Sequence, residues 1–119
     1  IPASGFFEWQ KQPGSKEKIR HCLHVPGENI FYMAGLWRPE RLTAAEAEKL
    51  PGEPTADSVI NRFVILTMAA SEWMSRIHDR MPLIFNREDG RRWLFEAEAA
   101  PGLLLNTAAS PLATRTCGV

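Results

Sequence analysis

The stretch that decides the fold is Gly5-Phe6-Phe7-Glu8-Trp9, and a turn sequence, Gln12-Pro13-Gly14-Ser15, follows it closely. A short aromatic run bounded by a proline-glycine turn is typical of a β-strand, and this one carries a single carboxylate, Glu8. Further along, residues 18–25 roughly alternate polar and apolar side chains, and a second Pro-Gly turn leads into the apolar run at residues 30–37. We interpret these two later segments as a hairpin with a buried second strand.

The middle of the chain predicts one helix and one strand. Thr43 and Glu46 have the spacing of a capping box, so a short surface helix is predicted from there to Leu50, where Pro-Gly follows. Residues 62–68 form the most β-branched run in the chain. Because this run is strand-like and has an unbroken apolar stretch at residues 63–66, it predicts a central strand that is buried on both faces.

The second half adds shorter elements. The pattern predicts a helix at residues 71–77, a strand at 83–85, a polar turn at 86–90 and a helix at 91–99 that Pro101-Gly102 ends. Together the elements predict an α+β fold of mainly antiparallel strands that curl toward a barrel, with short helices at its periphery. We treat residues 1–119 as one domain.

Composition limits the function classes to consider. The 119 residues are 45% hydrophobic and 24% charged, as expected for a soluble domain with a modest core. Fourteen basic residues balance fourteen acidic ones, so any contact with DNA has to be local. Two cysteines far apart, with no signal peptide and no membrane-spanning run, predict an intracellular protein without a membrane partner. The bacterial cytoplasm is the expected location.

Three motifs are spaced along the chain. They are Ile1-Pro2-Ala3-Ser4-Gly5-Phe6-Phe7-Glu8-Trp9, then Met33-Ala34-Gly35-Leu36-Trp37, then Ile65-Leu66-Thr67 followed by Ile77-His78-Asp79-Arg80-Met81-Pro82. Together they resemble the SOS response-associated peptidase (SRAP) family of abasic-site-processing proteins, and the likeness continues into residues 110–115. The combination is specific, although each motif alone is weak.

The resemblance implies a covalent chemistry. In this family the residue after the removed initiator Met is a cysteine, whose amine and thiol capture the ring-opened aldehyde of an abasic site as a thiazolidine. An interior cysteine has its nitrogen in an amide, so neither Cys22 nor Cys117 offers this pair of groups. We therefore expect the chain to be the C-terminal part of the domain, without the N-terminal segment and the extreme C-terminus, and to be inactive in crosslinking alone.

The resemblance also implies site residues. Glu8 matches the family's catalytic glutamate, and its aromatic strand would favour the protonated form needed for proton transfer. His78 matches the catalytic histidine, which assists opening and closing of the sugar ring. Arg80 resembles an arginine that holds a DNA phosphate, and Thr67 matches a polar position facing the site.

The implied partner is single-stranded DNA with abasic sites, bound by a monomer without metal or cofactor during the DNA damage (SOS) response. The same site is implied to remove the initiator residue.

Each of these residues also has an ordinary structural interpretation. A lone Glu in a strand is usually exposed to solvent, and a His after a helix usually caps the helix dipole. Arg80 beside Asp79 could form a surface ion pair. His21, Cys22 and His24 could indicate a metal, but in an extended segment neighbouring side chains point to opposite faces.

Two other function classes stay open at this point. One is a cysteine hydrolase that uses Cys22 with His78 and Glu8, and the other is a non-catalytic module that binds nucleic acid or protein. The four tryptophans could stack on bases, although their spacings predict that at least three belong to the core. The isolated chain is also expected to expose apolar edges and to be unstable or prone to aggregation.

Overall fold

The computed structural model describes residues 1–52, 54–105 and 108–115. These residues form two compact units, the first from residues 1–34 with the part that begins at residue 65, and the second from residues 35–64. In chain order the strands are β1 (Pro2–Ala3), β2 (Phe6–Lys11), β3 (Lys18–His24), β4 (Phe31–Met33), β5 (Gly35–Arg41), β6 (Val59–Ile65), β7 (Thr67–Ala69), β8 (Arg80–Pro82), β9 (Ile84–Phe85) and β10 (Ala113–Arg115). The helices are α1 (Ala44–Ala47), α2 (Arg87–Phe95) and α3 (Ala100–Leu105), with 3₁₀ turns at Met74–Arg76 and Ala97–Ala99.

The predicted α+β class is confirmed. The described strands form four small sheets, with the orders β1-β4-β9, β10-β3-β2, β5-β6 and β7-β8, and these sheets do not close into a barrel. In the first unit every described pairing is antiparallel.

The hairpin predicted between residues 18–25 and 30–37 is wrong. The strand β3 pairs with β2 on one side and with β10 on the other, whereas β4 pairs with β1 and β9. Because both edges of β3 are occupied, the chain after the turn at residues 26–29 joins a different sheet. The Gly14 turn, with a positive φ of 76°, closes the true hairpin between β2 and β3.

The core of the first unit is formed by side chains from the sheets β1-β4-β9 and β10-β3-β2 and from the Met74–Arg76 turn. Leu23, Met74 and Met81 are its most deeply buried large side chains, at 0%, 0% and 1% exposure. Phe6 packs edge-on against Phe31 with ring centroids 6.4 Å apart, so the inward face of β2 belongs to this core.

The helices differ from the prediction in their bounds. Helix α1 ends at Ala47 instead of Leu50, and the helix predicted at residues 71–77 is only the 3₁₀ turn at Met74–Arg76. The capping box of α1 is confirmed, because Thr43 and Glu46 exchange hydrogen bonds. Helix α2, however, starts in the segment predicted as a polar turn, since the Asn86 side chain accepts from the backbone N–H of Asp89 at 2.8 Å. Pro101 does not end a helix but lies in the first turn of α3, where a missing N–H costs no hydrogen bond.

Residues 62–68 lie almost entirely in strands β6 and β7, but their predicted burial as one central strand is wrong. The strand β6 belongs to a two-stranded sheet with β5, and Phe63 and Val64 are 65% and 58% exposed. A continuous apolar run predicts burial on both faces, but no described element covers these side chains.

The second unit holds a small ion-pair network. Arg62 lies 2.8 Å from Glu40 and also contacts Glu46, whose carboxylate accepts from the Thr43 backbone N–H at 2.9 Å. The backbone hydrogen bond from Thr43 lowers the pKa of Glu46, and the Thr43 hydroxyl and Arg62 lower it further.

Candidate functional site

The β2–β3 hairpin has two chemically different faces. We call the face with Phe6, Glu8 and Gln10 the inner face, because these three side chains are half-buried and Phe6 packs in the core. The exposed positions between them form the outer face. Glu8 therefore lies on the inner face, where its Oε1 accepts from the backbone N–H of Trp9 at 3.0 Å.

His21 lies directly opposite Glu8 in the antiparallel register of β2 and β3. Directly opposed residues share a face of the sheet, so the imidazole of His21 joins the inner face. Its Nε2 is 3.0 Å from Oε1 of Gln10, and Nε2 of Gln10 donates to the carbonyl of Arg76 at 2.5 Å. A polar group of three side chains, Glu8, Gln10 and His21, thus occupies the inner face where it leaves the core.

His78 is the second residue after the Met74–Arg76 turn. Its backbone N–H donates to the carbonyl of Met74 at 3.0 Å, which fixes the start of the side chain. The side chain is 42% exposed, and its Nδ1 lies 3.1 Å from the carboxylate of Asp79 and 3.1 Å from the backbone N–H of Arg80.

These contacts give Nδ1 of His78 a partner in either protonation state. Without a hydrogen, Nδ1 accepts from the Arg80 N–H, and with one it pairs with the Asp79 carboxylate. In the described residues Nε2 has no protein partner, so the contacts of Nδ1 anchor the ring.

Arg80 and Thr67 are brought together across the β7–β8 pair. The Arg80 guanidinium donates to the Thr67 hydroxyl and carbonyl, and it forms no ion pair with Asp79, whose carboxylate turns to His78. The surface ion pair considered from the sequence is therefore not the arrangement found among the described residues.

The outer face of the hairpin is aromatic and basic. Phe7 and Trp9 are 46% and 47% exposed, with ring centroids 6.4 Å apart, and the Arg20 guanidinium lies 5.0 Å from the centre of the Phe7 ring.

Trp37 and Trp73 are exposed too, so the prediction that at least three tryptophans belong to the core is wrong. Alternation along β2 places Trp9 on the outer face, since Phe6 and Glu8 take the inner face.

Cys22 does not offer the thiol that a hydrolase would need. It is 7% exposed, and the described part of the chain contains no free cysteine. No group of three or more His, Cys, Asp or Glu side chains gathers at metal-binding distance in the described ranges.

Comparison with known proteins identifies the family of the chain. The family model described as SOS response associated peptidase (SRAP) matches residues 1–116. The chain belongs to the SRAP family. This SRAP chain is 33% identical over 104 residues to "Abasic site processing protein YobE" of Bacillus subtilis. The matched region covers 87% of this chain and 42% of YobE. It thus spans less than half of that relative.

Solved structures support the SRAP fold. A crystal structure of a protein from Bacteroides thetaiotaomicron matches with a TM-score of 0.63 at 26% identity, over 96% of this chain and 47% of that chain. A protein from Bordetella bronchiseptica matches with a TM-score of 0.69 at 21% identity, over 98% and 54% of the two chains, and shows likeness of fold alone. None of the helices in the described ranges has the length and apolar character that a membrane crossing requires.

Gln10 and His21 are the polar residues of the inner face that the sequence pattern did not place beside Glu8. A signal was present, because a hairpin centred on the Gly14 turn places Lys11 opposite Lys18 and therefore Glu8 opposite His21. The predicted pairing of residues 18–25 with the segment after them hides this register.

Proposed function

We propose that the protein containing this chain processes abasic sites in single-stranded DNA by forming a covalent DNA–protein crosslink. The observation that carries the proposal is the hydrogen bond from Gln10 to the carbonyl of Arg76. It joins the strand of Glu8 to the turn that precedes His78, so the two proton-transfer residues belong to directly connected segments. The family membership and the name of YobE support the same reaction class.

The proposed nucleophile is an N-terminal cysteine outside these 119 residues. Its amine adds to the aldehyde carbon of the ring-opened sugar, and water leaves to give an iminium ion. The thiol sulfur then adds to the same carbon, and its proton passes to a base. The net reaction forms one C–N and one C–S bond, breaks the C=O bond and releases one water.

Each step needs a proton donor or acceptor within reach. In the proposal Glu8 takes protons from the amine and returns one to the departing hydroxyl. His78 assists opening of the sugar ring through Nε2, while Nδ1 stays anchored between Asp79 and the Arg80 N–H. The same two groups would assist removal of the initiator residue, which is the peptidase activity proposed for the protein.

Two surfaces support contact with DNA. Arg80, oriented by Thr67, presents a planar, permanently charged group suited to a phosphate. The outer face of the hairpin exposes the Phe7 and Trp9 rings beside Arg20, and exposed rings with a nearby cation are typical of surfaces on which unpaired bases stack.

The test uses the full-length protein and an oligonucleotide with one abasic site, followed on a denaturing gel. We expect a slower band that contains protein and DNA, and we expect Glu8→Gln and His78→Ala to reduce its rate of formation about a hundredfold or more. Glu17→Gln and His24→Ala are matched controls, and both should behave like the wild type. The proposal would be contradicted if the wild type formed no such band, or if Glu8→Gln and His78→Ala both crosslinked at the wild-type rate.

A Cys22→Ala variant separates the proposal from the hydrolase alternative. Because the proposed nucleophile is a different cysteine, crosslinking should persist in this variant. Loss of abasic-site capture on that change, in a protein that still folds, would count against the assignment.

A further inference from the structure

Gln10 connects two segments that are distant in sequence. Its Nε2 donates to the carbonyl of Arg76, 66 residues away, and its Oε1 contacts Nε2 of His21, 11 residues away. Its side chain shares the inner face with Glu8. Two residues of extended strand separate the two positions by about 7 Å.

The two contacts determine the orientation of the Gln10 amide. A backbone carbonyl only accepts hydrogen bonds, so the amide nitrogen has to face Arg76 and the amide oxygen has to face His21. His21 Nε2 must then carry a hydrogen. The reversed amide would place its oxygen against the Arg76 carbonyl oxygen, and the Nε2–H of His21 stabilises the observed orientation by donating to the amide oxygen.

The turn that Gln10 holds leads directly to His78. Both Ile77 and His78 donate their backbone N–H to the carbonyl of Met74, at 2.8 and 3.0 Å. Met74 itself is completely buried. The turn is therefore fixed to the core at Met74 and to the β2–β3 hairpin at Arg76, and these two attachments set where the imidazole of His78 begins.

We infer that Gln10 is a positioning residue for the reaction proposed above, on which this inference rests. It keeps the strand of Glu8 and the turn before His78 at a fixed separation, and His21 keeps the Gln10 amide in the orientation that does so. Small errors in the placement of proton-transfer groups slow the chemical step with little effect on binding. The predicted signature is therefore a loss of rate without a loss of DNA affinity.

Two measurements on the full-length protein separate rate from affinity. One is the single-turnover rate of crosslinking at saturating DNA, and the other is the Kd for DNA with a non-reactive tetrahydrofuran analogue of the abasic site. Gln10→Glu turns a carboxylate toward the Arg76 carbonyl, and it should slow crosslinking about tenfold while the Kd stays within about twofold. Gln10→Lys restores a donor, and it should stay within about threefold of the wild-type rate.

The role of His21 is tested in two backgrounds. In the wild type, His21→Phe removes the hydrogen that orients the amide and should slow crosslinking about fourfold. In Gln10→Lys the same change should leave the rate within about 1.5-fold, because an ammonium group donates in every direction and needs no orienting partner. Thermal melting of each variant identifies any that does not fold. If Gln10→Glu does not fold, the rate of Gln10→Lys and the effect of His21→Phe in the two backgrounds still test the positioning role.

The outcomes separate the two proposals. A wild-type rate for Gln10→Glu, equal effects of His21→Phe in both backgrounds, or a Gln10→Lys rate as low as that of Gln10→Glu overturns the positioning role. Parallel losses of rate and affinity also overturn it, because they indicate a merely structural contact. If Glu8→Gln and His78→Ala retain full activity, the proposed function itself fails. If both are inactive while Gln10→Glu is unaltered, only the inference about Gln10 fails.

Discussion

Arg80 reaches diagonally across the β7–β8 pair to Thr67. Its Nε lies 3.2 Å from the Thr67 hydroxyl oxygen, and its Nη2 lies 3.0 Å from that oxygen and 2.6 Å from the Thr67 carbonyl. Two of the three guanidinium nitrogens are thus held by the protein. In the described part of the chain the third, Nη1, has no partner, so it is the one presented outward.

We expect Arg80→Ala to weaken binding of single-stranded DNA about tenfold, because the outward guanidinium is proposed to hold one phosphate. The salt dependence should change with it, since one fewer phosphate contact lowers the log–log slope by about 0.7 for a single strand. Arg80→Lys should keep the slope but lose part of the affinity, because a lysine cannot reproduce the fork held by Thr67. Fluorescence anisotropy at several salt concentrations measures both quantities.

Arg91→Ala, in an exposed position of α2, is the matched control and should change neither affinity nor slope. An unchanged slope in Arg80→Ala would remove the phosphate assignment even if the affinity fell.

Trp9 supports a second prediction about DNA. Its ring is 47% exposed beside Phe7, and stacking of one base on such a ring contributes about 1–3 kcal/mol. We expect Trp9→Ala to weaken binding of single-stranded DNA accordingly and Trp9→Phe to keep most of the affinity. Quenching of tryptophan fluorescence on titration with DNA gives an independent measure.

Trp37→Ala is the comparison for Trp9, because Trp37 is still more exposed, at 69%, but belongs to the second unit. Equal losses of affinity in the two variants would mean that the outer face of the hairpin has no special part in binding.

Glu46 makes stability depend on pH. Its pKa lies below the usual 4.5, first because of the backbone hydrogen bond from Thr43. A carboxyl group whose pKa is lower in the folded state stabilises the fold above its unfolded pKa, and this contribution is lost as the pH falls through the folded one. Glu46→Gln should therefore lower the melting temperature at neutral pH, and the difference should disappear as the pH falls below about 4.5 toward the folded-state pKa.

Glu48→Gln provides the matched control for Glu46, since Glu48 is exposed at the C-terminal end of the same helix. A difference between wild type and Glu46→Gln that is constant with pH would contradict the electrostatic origin of the effect.

The isolated 119-residue chain should be poorly stable. Many large apolar side chains are exposed, with Leu105, Phe95 and Leu94 at 84%, 78% and 73%. Exposed apolar area of this kind favours association. We expect broad thermal unfolding and concentration-dependent aggregation, measured by circular dichroism and light scattering. A sharp two-state transition of a monomer at micromolar concentration would contradict this prediction.

Local patterns in the sequence were sufficient for several features. The strand with Glu8, the capping box at Thr43 and Glu46, and the family motifs around Glu8 and His78 all depend on residues close together in the chain. Alternation in a strand and hydrogen bonding at a helix start are set by the backbone geometry of a few neighbouring residues. For this reason they could be predicted without knowing the fold.

Only the tertiary structure decided which segments meet. Periodicity does not specify a strand's partner, so it could not show that β3 pairs with β2 and β10, or that Phe63 and Val64 are exposed. The contact between Gln10 and Arg76 spans 66 residues, and the one between Arg80 and Thr67 spans 13. Such contacts form because packing of the core around Met74 and Met81 fixes the distances between elements, and that packing is a property of the whole unit.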